Sequence, residues 1–353
     1  MISTAPHRPH AHPCRTALLA CCLVFAGLGH AEGEPDDSPS GVIERTEASL
    51  GFLTLRKYNP EADPGDRFGG ERGTLQAGLC HTETAGLSWL RDANLVSPIA
   101  LPEGFTDIVA VERRPLSALE TLIDPAPAAV RPTLYVHGYN EGFSRACRRA
   151  TQLKHALDRA HRMLLFTWPS DGNPARYTHD ETDAGWSEAG LADAIEQMAA
   201  TWGHGGFDVI AHSLGSRVVM RAAAAFGYRA ADNNPIIHQL VFVAPDVDAG
   251  LFSHKSAAVR LAAGRVSVIA NDQDLPLMLS EELHGAPRLG QVGPHLDALA
   301  GVDVYDLSEL SMRGSTGHLY HLNHPRVHAL LKRVLAPDAP VGTPGQLTRL
   351  TDD

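Results

Sequence analysis

The sequence predicts an α/β fold, a mostly parallel sheet with helices on both faces, preceded by a less regular N-terminal region. Two observations carry this expectation. From about residue 131 onward, short apolar runs alternate with segments whose apolar residues recur at helical spacing. One of these runs, Phe207-Asp-Val-Ile-Ala-His212, stops abruptly at Ser213 between small residues and is followed at once by an alanine-rich helical stretch. With 353 residues the chain can build one large α/β domain or two small ones.

The elements follow in order. Met1 to Arg15 is basic and rich in His, and Ala17 to Leu28 is apolar but shorter than the ~20 residues a membrane span requires. Small residues at Gly29 and Ala31 then complete the pattern of a signal peptide cleaved after Ala31, which predicts a periplasmic or secreted protein. Leu18-Leu-Ala-Cys21 resembles a lipobox and offers a lipoprotein anchored at Cys21 as the alternative, although almost no apolar residue separates it from Arg15. No other segment reads as a membrane span.

Residues 32–49 read as a flexible leader, acidic and rich in Pro and Ser toward their start. Within 50–130, Leu50 to Leu55 and Ile108 to Glu112 read as strands, and Asn59 to Gly73 as a polar excursion; this region is expected to belong to the same domain as the core that follows. The core, 131–336, shows strands at Thr133 to His137, Met163 to Trp168, Phe207 to His212, His238 to Ala244, Val266 to Ala270 and Val302 to Leu307. Helices are expected at Arg145 to Ala160, Trp186 to Trp202, Ser216 to Phe226 with Gly227 as C-cap, and Pro325 to Leu335. The tail, 337–353, reads as too polar and proline-rich to add a core element.

Charge narrows the partners. The signal segment holds Arg8 and Arg15 and no acid, so 28 of the 30 Lys and Arg remain against 41 Asp and Glu, a net charge of −13. That balance argues against nucleic acid or an anionic membrane. Of five cysteines, only Cys80 and Cys147 lie outside the signal segment. They could pair in an oxidising compartment or stay apart as buried thiols.

The chemistry centres on Ser213. Ala211-His-Ser-Leu-Gly215 is one methyl away from G-x-S-x-G, in which a serine on a tight strand-to-helix turn projects its hydroxyl above a sheet. A serine needs a histidine to take its proton and a carboxylate to orient that histidine. Both follow, each just past a strand end where catalytic groups gather in such a sheet. Asp274 is favoured as the acid, with Asp272 and Asp246 as alternatives, and His318, beside Gly317, as the base. Oxyanion donors are expected at the backbone N–H of Leu214 and of Tyr139 in His137-Gly138-Tyr139-Asn140. His318, His321 and His324 are spaced by three, but Pro325 and nearby glycines argue against one helix presenting all of them, and no carboxylate completes a zinc set. Neither metal nor cofactor is expected.

These residues lie in segments that resemble an esterase- and lipase-like bacterial family of the α/β-hydrolase superfamily, without assigned function. The likeness covers roughly 130 to 335. It rests on Tyr135-Val-His-Gly-Tyr-Asn140, Phe166-Thr-Trp-Pro-Ser170 with Tyr177 and Asp180, Ala211-His-Ser-Leu-Gly-Ser216, Ala244-Pro-Asp-Val-Asp248, the Asn271 to Leu277 loop, and Gly317-His-Leu-Tyr320. The resemblance implies Ser213 as nucleophile, Asp274 as acid and His318 as base. Leu214 stands where methionine is usual and Leu319 where serine or a similar residue is usual. His137, Gly138, Asn140, His212, Tyr177 and Asp180 are candidates for the substrate pocket. The expected activity is hydrolysis of a small-molecule or lipid carboxylic ester through an acyl-enzyme. A thioesterase or acyltransferase would use the same residues, and a non-catalytic envelope binding module is the alternative of another class.

Overall fold

In the apolar runs of the core, alternate side chains leave the sheet on opposite faces, and the residues sort accordingly. Leu134 and Val136, Leu164 and Phe166, Val209 and Ala211, and Leu240 and Phe242 pack into one core cluster. Their neighbours Tyr135, Leu165, Ile210 and Val241 pack into the other. Every strand from Thr133 to Ala270 is therefore apolar on both sides, as a sheet with helices above and below requires.

The computed structural model describes residues 43–87, 106–123, 130–157, 162–230, 234–297, 299–312, 316–336 and 347–352. The expected signal peptide with its cleavage after Ala31, Cys21 and most of the expected leader lie outside these residues. The strands are β1 (Ile43–Tyr58), β2 (Phe68–Leu87), β3 (Thr106–Arg114), β4 (Thr133–Val136), β5 (Met163–Thr167), β6 (Asp208–His212), β7 (Ile237–Val243), β8 (Ala263–Ala270), β9 (Asp303–Glu309) and β10 (Leu347–Thr351). They form one ten-stranded sheet in the order β10-β9-β8-β7-β6-β4-β5-β1-β2-β3. β1 and β4 to β10 run parallel, while β2 is antiparallel to both β1 and β3.

The helices are α1 (Phe143–Ala156), α2 (Tyr177–Trp186), α3 (Glu188–Trp202), α4 (Gly215–Arg229), α5 (Ala249–Ala262), α6 (Leu275–His284), the single turn α7 (Tyr320–Asn323) and α8 (Pro325–Val334). The apolar sides of α3, α4 and α5 join the first core cluster, and those of α1 and α8 join the second. From β4 the chain moves outward to β5 and then returns to the other side of β4 with β6. The strand order thus reverses at β4, where open α/β sheets leave a crevice above their carboxyl ends.

Several expectations are corrected. The leader does not extend to residue 49, because β1 already begins at Ile43, and the polar excursion is shorter, because β2 begins at Phe68. Ile43↔Leu87 through Tyr58↔Phe68 pair as a long ribbon. Its backbone bonds need no apolar side chains, so alternation marked only the buried stretch Leu50 to Leu55. α2, α5 and α6 were not foreseen. The tail adds β10 on the sheet edge, where Leu347 and Leu350 pack partly against opposite core clusters.

Gly227 is not a cap, since α4 continues to Arg229. A Cβ there would stand 1.8 Å from the Ala258 carbonyl oxygen, so glycine lets α4 lie directly on the backbone of α5. Cys80 on β2 and Cys147 on α1 are free and buried in one core cluster. Burial and the adjacent Cys80 push the Cys147 thiol well up. Among the described residues no helix is long and apolar enough to cross a membrane.

The α4–α5 contact yields a stability test. Gly227→Ala must separate the two helices or bend one, and is expected to destabilise the fold by about 1–3 kcal/mol. The measurement is the urea unfolding midpoint, which should fall without a change in the slope of the transition.

Candidate active site

β6 delivers His212 to the carboxyl edge of the sheet, and the next residue turns sharply. Ser213 has φ of +51°, a left-handed conformation that costs a serine on the order of 1–3 kcal/mol. Neighbouring backbone holds it there: Ser213 N donates to Val243 O at 3.0 Å, while Ser213 O accepts from Ser216 N at 3.0 Å and Asp246 N at 3.1 Å. Gly215 is required by the loop packed above, since a Cβ would come within 2.2 Å of His137 O. Ser216 Oγ ties the first turn of α4 back to Ala211 O at 3.1 Å.

Two further loops converge on Ser213. Asp274 follows β8 and is also the N-cap of α6, where its Oδ1 accepts from Leu277 N at 3.0 Å. Capping and orientation of a histidine therefore fall to one carboxylate. His318 lies beyond β9, after Gly317 at φ of +75°. Asn271 Nδ2 donates to Gly317 O at 3.0 Å, and Leu275 N donates to Thr316 O at 3.1 Å, so the two loops are laced together.

His318 Nδ1 lies 2.9 Å from Asp274 Oδ1 and 2.8 Å from Oδ2, and its Nε2 lies 2.9 Å from Ser213 Oγ. With the proton on Nδ1 facing the carboxylate, Nε2 is an acceptor for the serine hydroxyl. The alternative acids are elsewhere. Asp272 is exposed, with its N–H on Ser308 Oγ at 3.1 Å. Asp246 is buried and holds Tyr177 Oη, Ser280 Oγ and Arg288 Nε.

Opposite the serine runs His137 to Asn140. A Cβ on Gly138 would lie 2.8 Å from Ser213 Cβ and 3.0 Å from His212 Nδ1, so this backbone touches the elbow. The Tyr139 and Leu214 N–H groups have no protein acceptor among the described residues. His137 is buried against Trp168, their rings stacked with centroids 5.1 Å apart, and Trp168 Nε1 donates to His137 O at 2.9 Å. Asp180 is fully buried and accepts from Asn140 N at 3.0 Å, Asp171 N at 3.0 Å and Ser170 Oγ at 2.6 Å, which commits it to holding the loops. Tyr177 packs edge-on against Tyr139, ring centroids 5.1 Å apart, at the mouth of the site.

Sequence reasoning passed over Arg56, Thr167 and the role of Asn271. Arg56 was detectable as a charge closing the apolar run Leu53-Thr-Leu55, since burying a guanidinium demands partners. Of the histidines spaced by three, His321 is turned into the core on Tyr135 Oη at 3.1 Å. Asp171, His179 and Asp180 could geometrically hold a metal ion. Arg176 and His179 already pair with Asp171, and Asp180 is saturated by the donors above, so the group fits a metal poorly.

Beneath the site lie neutral histidines. Burial, reinforced by the Arg56 charge, lowers His137 to about 3. Burial and neighbouring histidines hold His212 and His321 well below the ordinary value. The unfolded chain takes up protons below about 6.5 that the folded one refuses, so stability is full above that pH and is lost as pH falls below it. Urea midpoints are expected to drop from pH 7.5 to pH 5. His321→Gln should flatten that dependence by up to about 1.4 kcal/mol per pH unit.

A family model described as "Alpha/beta hydrolase of unknown function (DUF900)" matches residues 127–335. No curated protein matches the chain. Among solved structures, a CIB-like hydrolase of Thermoplasma acidophilum is 13% identical, over 59% of this chain and 89% of its own, with a TM-score of 0.35. A lipase-esterase related protein of Clostridium acetobutylicum is 12% identical over 60% and 97%, at 0.34. An esterase of Pyrobaculum calidifontis is 14% identical over 60% and 77%, at 0.33. Because the family model spans well over half of the chain and includes β4 through α8, this protein belongs to that α/β-hydrolase family.

Proposed function

We propose that the protein is an exported serine hydrolase that cleaves a carboxylic ester through an acyl-enzyme. The observation that carries this reading is the bridging position of His318, 2.9 Å from Ser213 Oγ and 2.8 Å from Asp274 Oδ2. Ser213 Oγ attacks the ester carbonyl carbon while its proton passes to His318 Nε2. Asp274 holds the imidazole in the tautomer that accepts that proton and stabilises the imidazolium. The Leu214 and Tyr139 N–H groups receive the oxyanion. As the tetrahedral intermediate collapses, His318 returns the proton to the leaving alkoxide. Water, activated by the same histidine, then attacks the acyl-Ser213 ester and releases the acid. No step calls for a metal or cofactor.

Two features support details of this reading. The signal-like segment ending at Ala31 supports export. Leu275, Met278, Leu279 and Leu283 form an exposed apolar stripe on α6 that starts directly after Asp274, which favours an ester with an apolar acyl or alcohol part.

Labelling with a fluorophosphonate probe and turnover of p-nitrophenyl esters test the mechanism. Ser213→Ala is expected to abolish labelling, and His318→Ala to slow both labelling and turnover by at least about 10³-fold. Asp274→Asn should cost about 10²–10⁴-fold in kcat, whereas Asp272→Asn leaves it within about twofold. Unchanged turnover in Ser213→Ala would discard the mechanism. Intact mass of the exported protein should correspond to a chain starting at Glu32; a lipid-modified Cys21 at the N-terminus would show the anchored form instead.

A further inference from the structure

We propose that Arg56, on the ribbon that precedes the family-matched residues, is a positioning residue for the oxyanion hole, acting through Thr167 and His137 to aim the Tyr139 N–H at the reacting carbonyl. The proposal rests on the serine-hydrolase reading above and deepens it.

Arg56 is wholly buried, and its guanidinium donates to Thr167 Oγ1 at 2.9 Å, Gly69 O at 2.9 Å, Ser170 O at 2.8 Å and Glu141 O at 2.6 Å. A guanidinium has only donors, so Thr167 Oγ1 accepts from it, and the threonine hydrogen is left for another acceptor. His137 Nε2 is 3.0 Å away. Thr167 thus donates to Nε2, and the single proton of the neutral imidazole sits on Nδ1. Nδ1 in turn donates to Gly138 O at 2.8 Å.

The last bond fixes a peptide plane. In a trans peptide the C=O and N–H point in opposite directions, so gripping Gly138 O on the His137 side turns the Tyr139 N–H the other way. If His137 carried its proton on Nε2 instead, Nδ1 would present a lone pair to Gly138 O. Two acceptors 2.8 Å apart repel, and the Gly138–Tyr139 peptide would be driven to rotate. Glycine permits that rotation, which is why something must hold it.

Arg56 sets the chain of donors because its charge cannot be reversed. Burial lowers it only to about 10, so it is a donor at any physiological pH. It also clamps both flanks of the loop, Glu141 O on one side and Ser170 O on the other. Lysine could neither reach all four acceptors nor keep a planar fork. β1 places Arg56 just past its register with β5, which ends at Thr54↔Thr167, and Thr54 Oγ1 fastens that end by donating to Thr167 O at 3.0 Å.

The test uses the full-length exported protein and the variants Thr167→Val, Thr167→Ser and Arg56→Met. Nitrogen-15 spectra of the imidazoles should show His137 protonated on Nδ1 alone in the wild type, and a mixture of Nδ1 and Nε2 tautomers in Thr167→Val, where no hydroxyl donates to Nε2. With p-nitrophenyl butyrate, Thr167→Val is expected to lose about 10²–10³-fold in kcat with KM within about threefold, the signature of a lost oxyanion donor. Its fluorophosphonate labelling should slow in parallel, and Thr167→Ser should restore both. Arg56→Met should follow Thr167→Val if it folds; Thr167→Val, nearly isosteric, carries the test if it does not. A wild-type His137 protonated on Nε2 would overturn the relay whether or not the protein turns over esters. Wild-type kcat in Thr167→Val, alongside Ser213-dependent labelling, would overturn it while leaving the serine-hydrolase reading intact.

Discussion

The left-handed turn at Ser213 is the constraint on which the rest of the site is built. A serine does not adopt φ of +51° unless its surroundings hold it there. Here the end of β7, the loop after β7 and the first turn of α4 each contribute a backbone hydrogen bond. Because β6 and β7 are central and apolar on both faces, that grip is as rigid as the core itself. The strain is repaid by position: the hydroxyl stands clear of the sheet, and the adjacent amide lies at the start of a helix. Gly138 and Gly215 then let a second loop lie against the turn with no side chain between them.

How much of this could be read in the sequence depended on whether a residue's role is local. Ser213 declares itself through its small neighbours and the strand and helix that flank it. His318 and Asp274 are legible because order and strand ends restrict the choice. Their loop left Asp272 and Asp274 undecided, since a register two residues apart changes nothing in composition. The structure separates them by burial, one capping α6 and the other exposed. The same Asp274 oxygen both caps α6 and meets His318 Nδ1.

Long-range pairing was the harder part. The ribbon of β1 and β2 is held by backbone bonds between residues as distant as Ile43 and Leu87, and its polar half has no alternation to reveal it. β10 escaped notice for the same reason, being a short edge strand in a polar tail. α6 was missed because its large apolar residues face outward, so its hydrophobic pattern does not point to a core. Gly227 was misread because a glycine near a helix end suggests a cap, while the reason for it here is a neighbouring helix that no local pattern contains.

The wiring of the site also bears on how the protein acquires it. Ser213 and His318 are separated by 105 residues, and Arg56 and Thr167 by 111. Contacts of such separation form late, after the entropy of closing long loops has been met. Neither the hydroxyl's partner nor the clamp on the opposing loop exists until the sheet has assembled from β1 to β9. A chain that has collapsed without completing that sheet holds Ser213 with no histidine beside it and a loop with no fixed direction. The geometry of the site is therefore acquired at the end of folding rather than at any stage along it.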